Sequence, residues 1–210
     1  MLFRSLAYVI PTSGSTGVPK LVAISHSSIS SYIVFWSSLF FVPSTRALIT
    51  SSPTFDVNVQ DIFSTLVAGG SVVIPDCHLA DVNSLFSILH SYAITHVYFV
   101  PTVFTKYSAT HSIPTSLRTL NIGGESLQYS ILLASSFPES LRVINGYGPS
   151  EITITSSMYL LNTKKITGHD PRDPVPIGPP LPTHSVYVLN EGMQLVPVGF
   201  PGELYIGGRC

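Results

Sequence analysis

The sequence predicts an α/β fold, a mostly parallel sheet with helices on both faces, followed by a small antiparallel β meander. Three observations carry this expectation. Short apolar runs alternate with stretches of helical spacing over residues 1–166, as strand–helix–strand units of a parallel sheet do. Prolines then crowd between Thr167 and Pro182, and periodicity stops. Beyond them, short β-like runs are separated by turn residues. The chain therefore divides into an α/β core, residues 1–166, and a proline-rich loop with the start of a β subdomain, residues 167–210.

Leu6–Ile10 reads as a strand, then a Gly/Ser/Thr loop, then a strand at Leu21–Ile24. A helix is expected over His26–Trp36 and a strand over Ala47–Thr50. Val57–Leu66 is helical by spacing, with Val59, Ile62, Phe63 and Leu66 on one side. Strand Ser71–Ile74, helix Asp81–His90 and strand His96–Val100 follow, with a short helix after Pro101. Strand Leu120–Ile122, helix Ser126–Ser135 and strand Leu141–Ile144 complete the core. The meander comprises Ser185–Leu189, a turn at Asn190-Glu191-Gly192, Leu195–Val198 and Glu203–Ile206.

Composition excludes several classes of function. Charged residues make up 10% of the 210, against a usual ~25%, and the net charge of -1 offers no nucleic-acid track or anionic-membrane surface. Cys77 and Cys210 stand far apart without metal-like spacing, which argues against a disulfide scaffold. The longest apolar stretch, Tyr32 to Val42, is interrupted by Ser37 and Ser38 and closed by Pro43, well short of the ~20 residues of a membrane helix. No signal peptide is legible at the start, and a cytoplasmic location is the expectation.

The strongest local signal is Thr12-Ser13-Gly14-Ser15-Thr16-Gly17-Val18-Pro19-Lys20. Gly14 and Gly17 let the backbone approach a ligand, the hydroxyls and N–H groups can donate to phosphate oxygens, and Lys20 adds positive charge. It is not a Walker loop, because Pro19 and the β-like run after Lys20 forbid the helix which that motif opens. A flexible linker shares this composition, but the flanking strands and the closing lysine favour a phosphate cradle.

Asn145-Gly146-Tyr147-Gly148-Pro149-Ser150-Glu151 follows a strand, which in a parallel sheet sets it at the edge where ligands bind. Tyr147 can stack on a flat base and Glu151 can hold Mg²⁺; an ordinary turn with a solvated glutamate reads the same way. Gly123-Gly124-Glu125 also follows a strand, and is either a ligand approach or a strand-to-helix turn. Asp56 begins the helix containing Gln60, and their spacing puts both on one face. An acid there either pairs with a substrate ammonium or answers the helix dipole. The seven histidines form no ligand pattern, so zinc is not expected.

Taken in order, Leu6–Ile10 with Thr12–Lys20, Phe55-Asp56, Gly123–Glu125, Asn145–Glu151 and Gly202-Glu203-Leu204-Tyr205-Ile206-Gly207-Gly208 resemble the adenylate-forming (AMP-binding) superfamily. The resemblance covers essentially the whole chain and points to the adenylation domains of nonribosomal peptide synthetases, of whose large subdomain this would be a central, truncated part. It implies that ATP activates an amino-acid carboxylate as an acyl adenylate, with pyrophosphate released. The thiol of a phosphopantetheine carrier then captures the acyl group, so a peptidyl carrier domain and other synthetase modules are the implied partners.

By the same resemblance Thr12, Ser13, Gly14, Ser15, Thr16, Gly17 and Lys20 would surround the phosphates, with Ser150 near them and Gly148 in the same turn. Lys20 and Glu151 would be catalytic, Glu151 as the Mg²⁺ ligand. Gly124, Glu125, Asn145 and Tyr147 would surround adenine. The amino-acid pocket would comprise Asp56, Val57, Gln60, Tyr98, Asn121, Gly123, Gly146, Ile154 and Thr155, with Asp56 on the α-ammonium and a neutral polar side chain as the expected substrate.

Pro11 stands where the family often has an aromatic residue, Leu21 where glycine usually follows the lysine, and Cys210 where the last motif normally ends in glycine. The family's amino-terminal part, its later ribose-binding aspartate and its small lysine-bearing subdomain have no counterpart in the sequence, so catalysis by these residues alone is not expected. An acyl-CoA ligase of the same superfamily, which Asp56 argues against, and a non-catalytic nucleotide-binding module are the competing readings.

Overall fold

In a computed structural model, residues 5–12, 18–75 and 81–208 are described. Strands β1 (Leu6–Thr12) and β2 (Lys20–Ser25) form an antiparallel hairpin of their own, with Thr12 opposite Lys20. The central sheet has six strands: β3 (Arg46–Leu48), β4 (Ser71–Val73), β5 (His96–Phe99), β6 (Thr119–Gly123), β7 (Arg142–Tyr147) and β8 (Ser157–Leu161). Their order is β4-β3-β5-β6-β7-β8, parallel throughout except for the antiparallel β7–β8 pair. Strand β8 was not legible in the sequence, because Ser156 and Ser157 dilute a short apolar run.

Period two divides the strand side chains between two cores. Leu48, Val97, Ile122 and Val143 face one layer of helices, α3 (Val82–Ser91), α4 (Pro101–Ser108) and α5 (Tyr129–Leu133). Ala47 and Ile144 face the other, α1 (His26–Phe40) and α2 (Asp56–Val67). Helix α1 begins where the Ser25 hydroxyl accepts the Ser28 N–H at 3.2 Å, and α3 where the Asp81 carboxylate accepts from Asn83 and Ser84.

Helix α1 runs a full turn past the expected end at Trp36. Tyr32, Trp36 and Phe40 form one continuous aromatic stripe at i, i+4 spacing, and the Ser37 hydroxyl that interrupts the apolar run donates to the Ser64 carbonyl of α2 at 3.0 Å. Helix α5 is shorter than expected, and its first N–H groups are met by the proline-rich loop: Tyr129 N donates to Asp173 O and Ser130 N to Pro171 O. That loop buries Val175 and Leu181 against the core. Of the meander, β9 (His184–Leu189) and β10 (Glu203–Gly208) form a two-stranded ladder. The expected strand at Leu195–Val198 is reduced to a bridge at Leu195, since Pro197 has no N–H to continue it. Among the described residues no helix is long and apolar enough to cross a membrane.

Candidate functional site

The carboxyl ends of β3, β5, β6 and β7 all reach the same edge of the sheet, and the segments that follow them enclose a cleft of about 620 Å³. Eight of the nine expected pocket residues line it: Asp56, Val57, Tyr98, Asn121, Gly123, Gly146, Ile154 and Thr155. Gln60 does not line it. Its side chain is 0% exposed, accepts a hydrogen bond from the Tyr32 hydroxyl and donates to Asp61 Oδ1 at 3.1 Å. A helix face shared with Asp56 is visible in sequence, but the partner that turns Gln60 inward lies on another helix.

Asp56 occupies the first turn of α2, whose preceding residue Phe55 offers no side-chain cap. Burial raises its carboxyl above the usual carboxylate range, against opposing hydrogen bonds from the Ser150 hydroxyl and the backbone; nearby Glu151 raises it further. The Tyr8 hydroxyl of β1, without a hydrogen-bond partner among the described residues, lies within the field of the same carboxylate, and burial, reinforced by Asp56, holds it well above an ordinary phenol. Tyr98 is raised by burial and by Asp61, Asp56 and Glu125. Asn121 Oδ1 is buried, lies on the lining side chain and has no partner among the described residues.

A second cavity of about 440 Å³ adjoins the first and shares Gly124, Glu125, Gly146, Gly148 and Pro149 with it. Asn145 and Tyr147 line this one, so the four residues expected around adenine come together here. Asn145 is fixed from below by donating to Val175 O and Pro176 O, at 3.2 and 3.0 Å. Glu125 accepts from the Thr102 N–H at 3.1 Å and from the Thr102 hydroxyl, thereby capping α4 from a neighbouring loop. Gly124 has φ +82°, and a Cβ there would stand 2.9 Å from the Tyr98 hydroxyl oxygen, so the wall between the cavities requires glycine.

Beyond β7 the chain makes a 3-10 turn at Ser150–Ile152 with exposed Glu151 in it, then passes through two β-branched residues at positive φ, Thr153 (63°) and Ile154 (73°). Such backbone is costly, about 1–3 kcal/mol per residue, and clusters at functional sites. Strand β2 packs on this turn. Thr12 and Lys20 face each other across the ladder. Ser13, Gly14, Ser15, Thr16 and Gly17 lie outside the described residues.

Among the described residues no three His, Cys, Asp or Glu side chains cluster as a metal site. Mg²⁺ needs no such cluster, because it is commonly held by one or two carboxylates, water and substrate phosphates, and an exposed Glu151 in the turn beyond β7 fits that donor set. Tyr8 and Tyr32 feel the Asp56 charge from behind the cleft lining, and sequence reasoning gave neither a role there. Both sit in apolar stretches whose periodicity reads as core, and no local signal separates them from core tyrosines.

Comparison with known proteins gives a consistent result. The family model described as AMP-binding enzyme matches residues 4–210. A subunit of the linear gramicidin synthase of Brevibacillus parabrevis is 38% identical over 208 residues, 98% of this chain and 2% of that protein. Among solved structures, PA1221, described as a nonribosomal peptide synthetase protein containing adenylation and PCP domains, superposes with a TM-score of 0.87 at 26% identity, covering 99% of this chain and 36% of that one. The Vibrio cholerae adenylation domain AlmE, in complex with glycyl-adenosine-5'-phosphate, gives 0.81 at 32% identity, covering 96% and 39%. The chain thus spans a small fraction of the curated relative and about two-fifths of each structural one.

Proposed function

Because the chain belongs to the AMP-binding enzyme family, we propose that it provides the substrate and nucleotide site for ATP-dependent activation of an amino acid. One observation carries this reading: two cavities share a glycine-lined wall, one with a partly buried carboxylate and the other with a tyrosine beside a planar amide. A zwitterionic amino acid in the first would place its ammonium on Asp56 and leave its own carboxylate free to face a nucleotide in the second.

In the first step a substrate carboxylate oxygen attacks the α-phosphorus of ATP. The new O–P bond forms as the bond to pyrophosphate breaks, giving an acyl adenylate. In the second, a phosphopantetheine thiolate on a peptidyl carrier domain attacks the acyl carbon, and AMP leaves. Asp56 orients the amino acid, with the Ser150 hydroxyl orienting Asp56 in turn. Tyr147 offers a face for the base and Asn145 a fixed amide at its edge. Lys20 supplies positive charge at the phosphate rim, offsetting charge that moves onto the departing pyrophosphate. Glu151 would hold Mg²⁺, whose chemistry is to neutralise phosphate charge. ATP consumption suits the cytoplasmic setting expected from the sequence, and the partners of the reaction would be the other modules of a synthetase.

The test is amino-acid-dependent exchange of labelled pyrophosphate into ATP, run on the complete protein with a panel of amino acids. Exchange dependent on one amino acid, or a small group of them, is expected. Exchange driven by fatty or aryl acids instead would favour an acyl-CoA ligase, and none with any acid would leave nucleotide binding alone.

A further inference from the structure

The cleft floor is braced by a buried polar chain that begins at its wall and ends at the opposite edge of the sheet. Thr155, in the wall, is near enough to the Tyr32 phenol to oppose the rise that burial gives it. Tyr32 donates to Gln60 Oε1, Gln60 Nε2 to Asp61 Oδ1 at 3.1 Å, and His96 Nε2 lies 3.4 Å from the same oxygen. Exposure along the chain is 3% for Tyr32, 0% for Gln60 and Asp61, and 1% for His96. Tyr32 is locked as well by stacking on Trp36, with ring centroids 5.8 Å apart and planes 14° apart.

Tyr32 therefore takes up the Gln60 carbonyl oxygen, and Asp61 takes up the Gln60 amide. With both ends committed, Gln60 is drawn out of a cleft that it could otherwise enter from one turn beyond Asp56 and Val57. Of the expected pocket residues, the neutral polar side chains left to a substrate are then Tyr98, Asn121 and Thr155. We propose that Tyr32 is a positioning residue that sets amino-acid specificity, by holding Gln60 out of the cleft. The inference rests on the amino-acid-activating reading of the site.

Removing one hydroxyl tests it. In Tyr32→Phe the ring and its stack on Trp36 are retained, while Gln60 Oε1 loses a buried donor. Leaving such a group unpaired costs enough for Gln60 to turn toward the cleft, and about a tenfold rise in KM for the preferred amino acid is expected. KM for ATP should stay within about twofold, and the ranking of amino acids in the exchange panel should change. The apolar isostere Gln60→Met removes the group on which Tyr32 acts. Tyr32→Phe added to Gln60→Met should therefore change the ranking little further.

An unchanged ranking in Tyr32→Phe overturns the inference, as does a parallel rise in KM for ATP and amino acid, the mark of general loosening. Should Tyr32→Phe fail to fold, Gln60→Met alone must leave the ranking unchanged, because Gln60 stands outside the cleft, and a shifted ranking is equally fatal. Wild-type protein that exchanges with no amino acid overturns the proposed function and this inference together. Wild-type exchange with an indifferent Tyr32→Phe overturns only the role of Tyr32.

Discussion

The backbone of Gly148 runs so close to Ile154 that a Cβ on residue 148 would stand 2.3 Å from the Ile154 carbonyl oxygen and 2.7 Å from the Thr155 Cα. Real side chains do not approach backbone this closely, so Gly148 admits no replacement without moving the segment that carries two lining residues of the cleft. Gly148→Ala is expected to destabilise the protein by roughly 1–3 kcal/mol, as overpacking does. Urea unfolding measures the loss, and an unchanged midpoint would mean that the 153–155 segment yields freely.

Asp56 gives a pH-dependent prediction with a definite sign. Its carboxyl titrates above the unfolded value of 3.8, so the folded state binds the proton more tightly than the unfolded state does. Stability from this group is therefore greatest below pH 3.8 and falls as pH rises through the folded value. Asp56→Asn should raise unfolding stability at neutral pH, and the gain should vanish toward pH 3.8. The same variant should raise KM for the amino acid by about 100-fold through loss of the ammonium's partner. In the wild type, amino-acid affinity should fall as acid protonates Asp56. Pyrophosphate exchange against pH, in variant and wild type, reads both effects.

Glu151 is exposed, so its replacement should spare the fold and affect only what binds at the rim. Mg·ATP at 100 times its dissociation constant is expected to stabilise the wild-type protein by ~2.7 kcal/mol. Thermal unfolding with and without Mg·ATP should show this shift in wild type and little of it in Glu151→Gln. An equal shift in both would remove Glu151 from the nucleotide site.

The buried Asp61–His96 pair makes the protein sensitive to loss of either member alone. His96→Leu leaves the Asp61 carboxylate with Gln60 as its described side-chain partner and should cost about 3 kcal/mol. Adding Asp61→Asn, which removes the charge but still accepts from Gln60, should recover at least half of that. Urea unfolding of the single and double variants decides. Equal losses would mean that the pair acts through packing, for instance the His96 contact with Phe41 at 4.4 Å between centroids.

The helices and parallel strands were legible because their signals are local: apolar spacing along α2, a Pro at the first position of α4, apolar runs at β5 and β6. What the sequence hid depends on distant partners. Ser37 and Ser38 look like an interruption until Ser64 is seen to accept from Ser37. Gln60 looks like a cleft residue by its spacing from Asp56, and it takes Tyr32 on a neighbouring helix, together with Asp61, to remove it. The left-handed backbone at Thr153 and Ile154 has no sequence signal at all, since β-branched residues are the least expected there. Gly124 and Gly148 were read from the sequence as a possible ligand approach and as part of a kinked turn, and the neighbours that crowd them, the Tyr98 hydroxyl and the Ile154 carbonyl, lie elsewhere in the chain.

The antiparallel return of β8 along β7 has a bearing on how the protein assembles as it is made. Tyr147 pairs with Ser157 across a short connection, so the nucleotide-side turn can close quickly as a local hairpin. The floor of the amino-acid cleft has no such shortcut, because Asp56 must find Ser150 across most of the sheet and pays the loop-closure entropy of that span. On an elongating ribosome, Asp56 emerges long before the serine that orients it. The substrate cleft is therefore a late product of synthesis, complete only after the β7–β8 connection has left the exit tunnel.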